Sequence, residues 1–329
     1  MSSKPYTGLD LRLDPWDVEY GTEIPFTTEA TTAPEGVDVA VESPPSRWAP
    51  IEPGAARGLP PRLVFVDGVR RVEARVVARR GGRLAHGAFG SYAVGAAVSE
   101  RGRIRIEEVH VERVLALDSG QSLGEALRIA PRLTYRPVST AESDPGAPLQ
   151  RLQDEMRLAE ERLARRMAER ADTLVVTDGP LTFADTAHGR SVGYVKRLFQ
   201  LYVEPALLNV LAALPPGWRS PLFALRAPAR FARYSWFLRL AAPHAGDSDL
   251  AGLVRLEVAA GVGIESARQL ADATAAALPR FAPGRGRDPR APQNLLPIGA
   301  LEAQLRREMG DPRLIRRHVV EHLAEAALG

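Results

Sequence analysis

The 329-residue chain contains no cysteine. Disulfides, zinc–thiolate sites and cysteine nucleophiles are thereby excluded, and a reducing, cytoplasmic setting is the natural expectation. Lysine is almost missing: Lys4 and Lys196 stand against 41 arginines. A GC-rich coding sequence accounts for such a bias in general. It still singles out Lys196 as the one lysine in the folded region, and arginine itself suits phosphate because its fork binds two oxygens at once. No apolar run reaches the ~18 residues that a membrane span needs. The opening "MSSKPYTGLDLRLDPWD" lacks the apolar segment of a signal peptide. A large net charge is also lacking: the formal value of +3 does not describe a strongly basic nucleic-acid binder. Neither GxxxxGK[ST] nor GxGxxG occurs, which speaks against a nucleotide-driven enzyme and requires any motor to be another chain.

What is present is ordinary globular material, 45% apolar and 25% charged, enough for one large domain or two average ones. Residues 1–61 are rich in Pro, Thr, Glu and Gly and read as an irregular arm, with short ordered pieces at "LDLRLDPWDVEY", suited to wrapping a partner. Residues 62–329 read as the folded domain.

The domain begins as a β meander. "RLVFVD" is a buried strand, and Asp67-Gly68 predicts a tight turn into "VRRVEARVVAR" as its antiparallel neighbour. "GSYAVGAAVSE" and "RIRIEEVHVERVLAL" supply two further strands. "SGQSLGEALRIAPRL" reads as a short helix or turn. Over 148–170, Leu149, Leu152, Met156, Ala159, Leu163 and Met167 form one apolar stripe at helical spacing. "DTLVVTDGPL" is a strand that again ends in Asp-Gly. "VGYVKRLFQLYVEPALLNVLAAL" reads as helical, broken near Pro205. "RYSWFLRLA" and "LAGLVRLEVAAG" are later strands. "ESARQLADATAAALPRF" is a helix, "GRGRDPRAPQNL" a loop, and 297–327 mostly helix.

The chemistry resides in carboxylates. A strand–helix–strand connection favours parallel strands in one sheet, and ligands bind at the carboxyl edge of such strands. If "RLVFVD" and "TLVVTD" are neighbours, Asp67 and Asp178 emerge together. The second strand climbs roughly 17 Å at ~3.3 Å per residue. The helix descends that height in about 11 residues at ~1.5 Å each, which reaches back to about residue 159. Glu155, Glu160 and Glu161 are therefore the candidate third acids, with Glu160 best on this count. Three acids without cysteine suit hard divalent cations such as Mg²⁺ or Mn²⁺. Two such ions hold a phosphodiester, activate water and stabilise the leaving oxygen. Without metal, like charges buried together raise one another's pKa.

"FVDG", a helical glutamate followed by alanine, "DTLVVTDGPL" and "GYVKR", in this order, resemble the NurA nucleases. "YSWFLRL", "GLVRLEV" and "PQNLLPIGALEAQLRREMGD" extend the likeness from about residue 62 to the end of the chain. The resemblance implies an α/β fold, an RNase H-like mixed sheet flanked by helices with a helical C-terminal part. It implies a homodimeric, Mn²⁺-dependent deoxyribonuclease, with Mg²⁺ as the alternative ion. The implied activity is that of a 5′→3′ exonuclease and single-strand endonuclease. It would process single-stranded DNA and duplex ends for recombination repair beside a hexameric HerA-type ATPase. A scaffold that has lost catalysis and only binds DNA and stimulates the ATPase is the alternative. Metal ligands are implied at Asp67 and Asp178, with Glu155 favoured by its "EMRLA" context and Glu160 retained by the geometric count. Lys196 falls where a cation can neutralise phosphate charge.

Other residues carry weaker expectations. Tyr194, Tyr234 and Trp236 are expected to pack, and His188 to sit in a solvated loop. Arg255 and Glu257, alternating with Val254 and Leu256, are expected to face away from the core. The basic stretch 284–290 suits phosphate or plain solvent, and Gln293 and Asn294 suit the start of a helix.

Overall fold

A single strand of 19 residues, Arg62–Arg80, passes straight through Asp67 and Gly68 and forms the spine of the sheet. The turn expected after Asp67 is not there, and the antiparallel partner is the strand from Arg83 to Glu100. In the computed structural model, residues 9–14, 36–54, 60–80, 82–181, 190–228, 231–284 and 286–328 are described, and His188 lies outside them.

In chain order the strands begin with β1 (Asp10–Leu13), β2 (Gly36–Asp38), β3 (Arg62–Arg80), β4 (Arg83–Glu100) and β5 (Arg103–Leu117). β6 (Leu127–Ala130) and β7 (Leu133–Ser139) precede helix α1 (Ala147–Ala168), which leads to β8 (Thr173–Asp178) and β9 (Ser191–Val195). After the short α2 (Leu208–Ala212) come β10 (Phe223–Arg226), β11 (Arg233–Arg239) and β12 (Leu253–Ala259). Helices α3 (Ile264–Ala277), α4 (Leu296–Glu308) and α5 (Pro312–Leu328) complete the chain.

Among the described residues these strands make one 12-stranded mixed sheet, ordered β2-β10-β11-β12-β9-β8-β3-β4-β5-β7-β6, with β1 on β3. Its centre, β9-β8-β3-β4-β5, is an antiparallel meander of three strands followed by two strands parallel to the first. This is the RNase H-like order that the resemblance to the NurA nucleases implies. The helix α1 is the crossover between β5–β7 and β8, as a parallel β3–β8 pair requires. Register places Val66 opposite Thr177, so Asp67 and Asp178 leave the sheet side by side.

Alternate residues of β3 face opposite layers. Val64 and Val66 meet Leu152, Met156, Leu163 and Met167 of α1, the stripe visible in the sequence. Leu63 and Phe65 meet Ile298, Leu301 and Leu305 of α4. Each such buried side chain contributes about 1.5–3 kcal/mol.

Several expectations are corrected. Residues 127–130 are strand β6, not helix or turn. Residues 191–195 are strand β9, with an irregular segment from Lys196 to Glu204 where a helix was expected. The apolar run there is too short and too rich in β-branched and aromatic residues at its start to distinguish strand from helix by period. Within 1–61, β1 falls in "LDLRLDPWDVEY", where an ordered piece was expected, β2 is a second edge strand, and Glu42 accepts both ends of the buried Arg219 fork at 2.9 and 3.0 Å. Arg255 and Glu257 are buried rather than outward, because β12 is central and covered on both faces. Glu257 pairs with Arg233 at 2.9 Å and accepts the Leu181 N–H at 2.8 Å.

Candidate metal centre

Asp67, Asp178 and Glu302 converge: one carboxylate oxygen from each lies within 4.8 Å of the others. Asp67 and Asp178 share the sheet face of Phe65 and Val176, and α4 brings Glu302 down onto that face. Gly95, the cross-strand partner of Asp67, makes this approach possible. A Cβ there would meet Leu301 and Leu305 of α4 at 3.1 Å each, tighter than ordinary packing.

Glu160 arrives from the opposite layer. It reaches across Gly68, where a Cβ would come within 2.5 Å of its Oε1. Gly68 is therefore a space requirement inside a strand and not a turn residue. Its N–H donates to Asp67 Oδ1 at 2.8 Å. Glu155, one and a half turns earlier on α1, is placed differently. Arg136 donates to its Oε2 at 2.6 Å and Arg151 to its Oε1 at 2.5 Å. Glu161 pairs with Arg165 at 3.3 Å on the outer side of the helix.

The cluster is electrostatically loaded. Asp67 is only 4% exposed, and no ion pair to it is found among the described residues. Burial pushes its carboxyl well above the usual range, and the charges of Asp178 and Glu160 add to the rise. Burial also raises Asp178, against the pull of Lys196. Glu160 is pushed up to about 8 by burial and then by Asp178. Asp67 Oδ2 and Asp178 Oδ1 are buried without a hydrogen-bond partner. Such orphaned oxygens are unfavourable in a finished interior. They are what a cation would satisfy, and an all-oxygen donor set fits a hard divalent ion.

Two bases border the acids. Lys196, at the end of β9, donates from Nζ to Asp178 Oδ2 at 2.6 Å and to Asn294 Oδ1 at 2.9 Å. Burial pulls Lys196 down, yet Asp178 and Asp67 hold it above its ordinary value. Arg290 grips both oxygens of Glu302, at 2.8 and 2.7 Å. Asp288 braces this edge, accepting from Arg290 and from Asn294 Nδ2 at 2.8 Å. Tyr194 is buried, and its hydroxyl donates to the Gln293 carbonyl at 2.6 Å.

Of the residues singled out in the sequence, Asp67, Asp178 and Lys196 lie at this cluster and Glu160 beside Gly68, while Glu302, the clamp of Arg290 on it and the bracing role of Asn294 were not expected. A signal for Glu302 existed. It sits beside Leu301 and four residues after Ile298, a carboxylate on an otherwise apolar helix face.

Fold and site together define an α/β protein of RNase H-like topology with a buried acidic cluster at the carboxyl edge of its central strands, able to hold a metal ion. Among solved structures, the chain is similar to the crystal structure of the NurA nuclease from Sulfolobus solfataricus, with a TM-score of 0.46 and 11% identity over 84% of this chain and 88% of that one. No protein-family model matches the chain, and no curated protein matches it. No helix among the described residues is long and apolar enough to cross a membrane.

Proposed function

We propose that this chain is a divalent-metal-dependent deoxyribonuclease. The observation that carries the reading is the convergence of Asp67, Asp178 and Glu302 within 4.8 Å, with buried oxygens of both aspartates unpartnered. Asp67, Asp178 and Glu302 would hold the ion, with Glu160 completing the set from the α1 side. A divalent ion bound there would polarise a phosphate oxygen and lower the pKa of a bound water. Lys196, oriented by Asn294, would exchange Asp178 for the negative charge that builds on the phosphate as the bond breaks. Tyr194, anchored to the 293 carbonyl, fixes β9 against the loop that carries Asn294.

Three of the stretches that resemble NurA nucleases, on β3, β8 and β9, carry Asp67, Asp178 and Lys196 of this site, whereas the helical glutamate of that resemblance, Glu155, is held on α1 by Arg136 and Arg151. On that resemblance we infer Mn²⁺ as the working ion, with Mg²⁺ as the alternative, and 5′→3′ exonuclease and single-strand endonuclease action. We also infer a homodimer and a HerA-type ATPase as the motor this chain lacks.

The test is cleavage of end-labelled single-stranded DNA with Mn²⁺, with and without EDTA. Asp67→Asn and Asp178→Asn are expected to lower cleavage by at least a thousandfold while the far-UV spectrum stays native. Cleavage by either variant at the wild-type rate, or wild-type cleavage indifferent to EDTA, would refute the assignment.

A further inference from the structure

Directly after Lys196 the chain leaves the sheet as "RLFQLYV", residues 197–203. Most of this segment is tied down. Leu198, Leu201, Tyr202 and Val203 pack against the core formed by Leu207, Leu211, Phe223 and Phe237. Tyr202 adopts a left-handed backbone conformation, φ 62°, which is costly for a bulky residue and persists only where the surroundings enforce it. The guanidinium of the buried Arg255 lies 4.7 Å from the centre of the Tyr202 ring.

Phe199 alone among the large apolar residues of this segment is turned outward. At 64% it is the most exposed large apolar side chain among the described residues. The Arg197 guanidinium lies over its ring, 5.2 Å from the centroid. Phe199 lies three positions after Lys196, so their backbones are at most about 11 Å apart. Phe199 is thus an outward aromatic with an arginine on one face, three positions after the lysine that pairs with Asp178 of the acid cluster.

We propose that Phe199 is a base-stacking platform for single-stranded DNA entering the acid cluster, with Arg197 closing on the stacked base or its phosphate. The inference deepens the nuclease reading and rests on it. Aromatic faces accept any nucleobase, and arginine adds both cation–π attraction and phosphate binding. Stacking also requires an unpaired base, so this residue would favour single strands over closed duplex.

The experiment measures binding of a fluorescent oligothymidine to the full chain carrying Asp67→Asn, by anisotropy, with and without Phe199→Ala. Phe199→Ala is expected to weaken binding about tenfold, in keeping with the loss of one stacked base. Phe199→Trp is expected to restore it. An oligonucleotide of abasic sites should bind both proteins equally. If Phe199→Ala leaves oligothymidine binding unchanged, or weakens the abasic strand as much, stacking is refuted. A change in oligomeric state on size-exclusion with unchanged DNA affinity would mark Phe199 as a protein contact and refute it too. Cleavage by the otherwise wild-type chain separates the two levels. Mn²⁺-dependent cleavage with indifferent Phe199→Ala defeats only the platform, whereas no binding and no cleavage at all defeats the nuclease reading with it.

Discussion

Asp67 is held in the native state at a cost, since burial and the neighbouring acids oppose its charge. Asp67→Asn should therefore do two opposite things. It should abolish Mn²⁺ binding seen by calorimetry, and it should raise the Tm of the metal-free protein by roughly 1–2 °C, equivalent to about 1 kcal/mol in a chain of this size. Glu160 carries a matching pH signature. Its carboxyl titrates near 8 in the folded protein against 4.5 when exposed. Between those values the native state retains a proton that the unfolded chain has released, so stability of the metal-free protein falls as pH rises from about 4.5 to about 8. Thermal melts across that window should show the decline, and Glu160→Gln should shrink it. Mn²⁺ affinity should run the other way and increase with pH, because the ion binds the ionised carboxylates. Glu155 belongs to another problem. Glu155→Ala leaves Arg136 and Arg151 without their shared carboxylate and should cost roughly 1–3 kcal/mol, with both arginines partly open to solvent. Mn²⁺ affinity should hardly change, as titration of the purified variant would show.

At the scale of elements, two glycines regulate how closely the helices approach the strands. Gly68→Ala would force Glu160 and the Met156 side chain aside. Because Glu160 is met at the tip of a flexible side chain, the expected loss of stability is small, on the order of 1 kcal/mol. The expected loss of Mn²⁺ affinity is about tenfold or more, measured by titration. The same two glycines show where the sequence was readable. The α1 stripe from Leu149 to Met167, the strand from Thr173 to Asp178 and the pairing of Asp67 with Asp178 all follow from period and connection order. Asp67-Gly68 was misread as a turn because a local signal cannot reveal that the glycine makes room for a residue 92 positions away. Lys196 was assigned to a helix because a five-residue strand followed by apolar residues has no decisive period. Glu302 went unseen because its helix carries the ordinary acid and base mixture of a surface helix after its first turn. Arg255 was expected in solvent because alternation along β12 cannot tell a central strand from a half-exposed one.

At the scale of the whole molecule, strands flank the parallel centre on both sides. The 36–54 region is fastened to the far side through Glu42 and the buried Arg219. The acids of the candidate centre do not belong to one layer. Asp67 and Asp178 come from the sheet, Glu302 from the layer above it and Glu160 from the layer below. An ion held by all of them would act as a rivet through the thickness of the protein. Hydrogen–deuterium exchange should then slow in α1 and α4 together when Mn²⁺ is added, although the two helices pack on opposite faces. Slowing confined to one helix would mean that the ion clips a single layer and that the other acid stands aside.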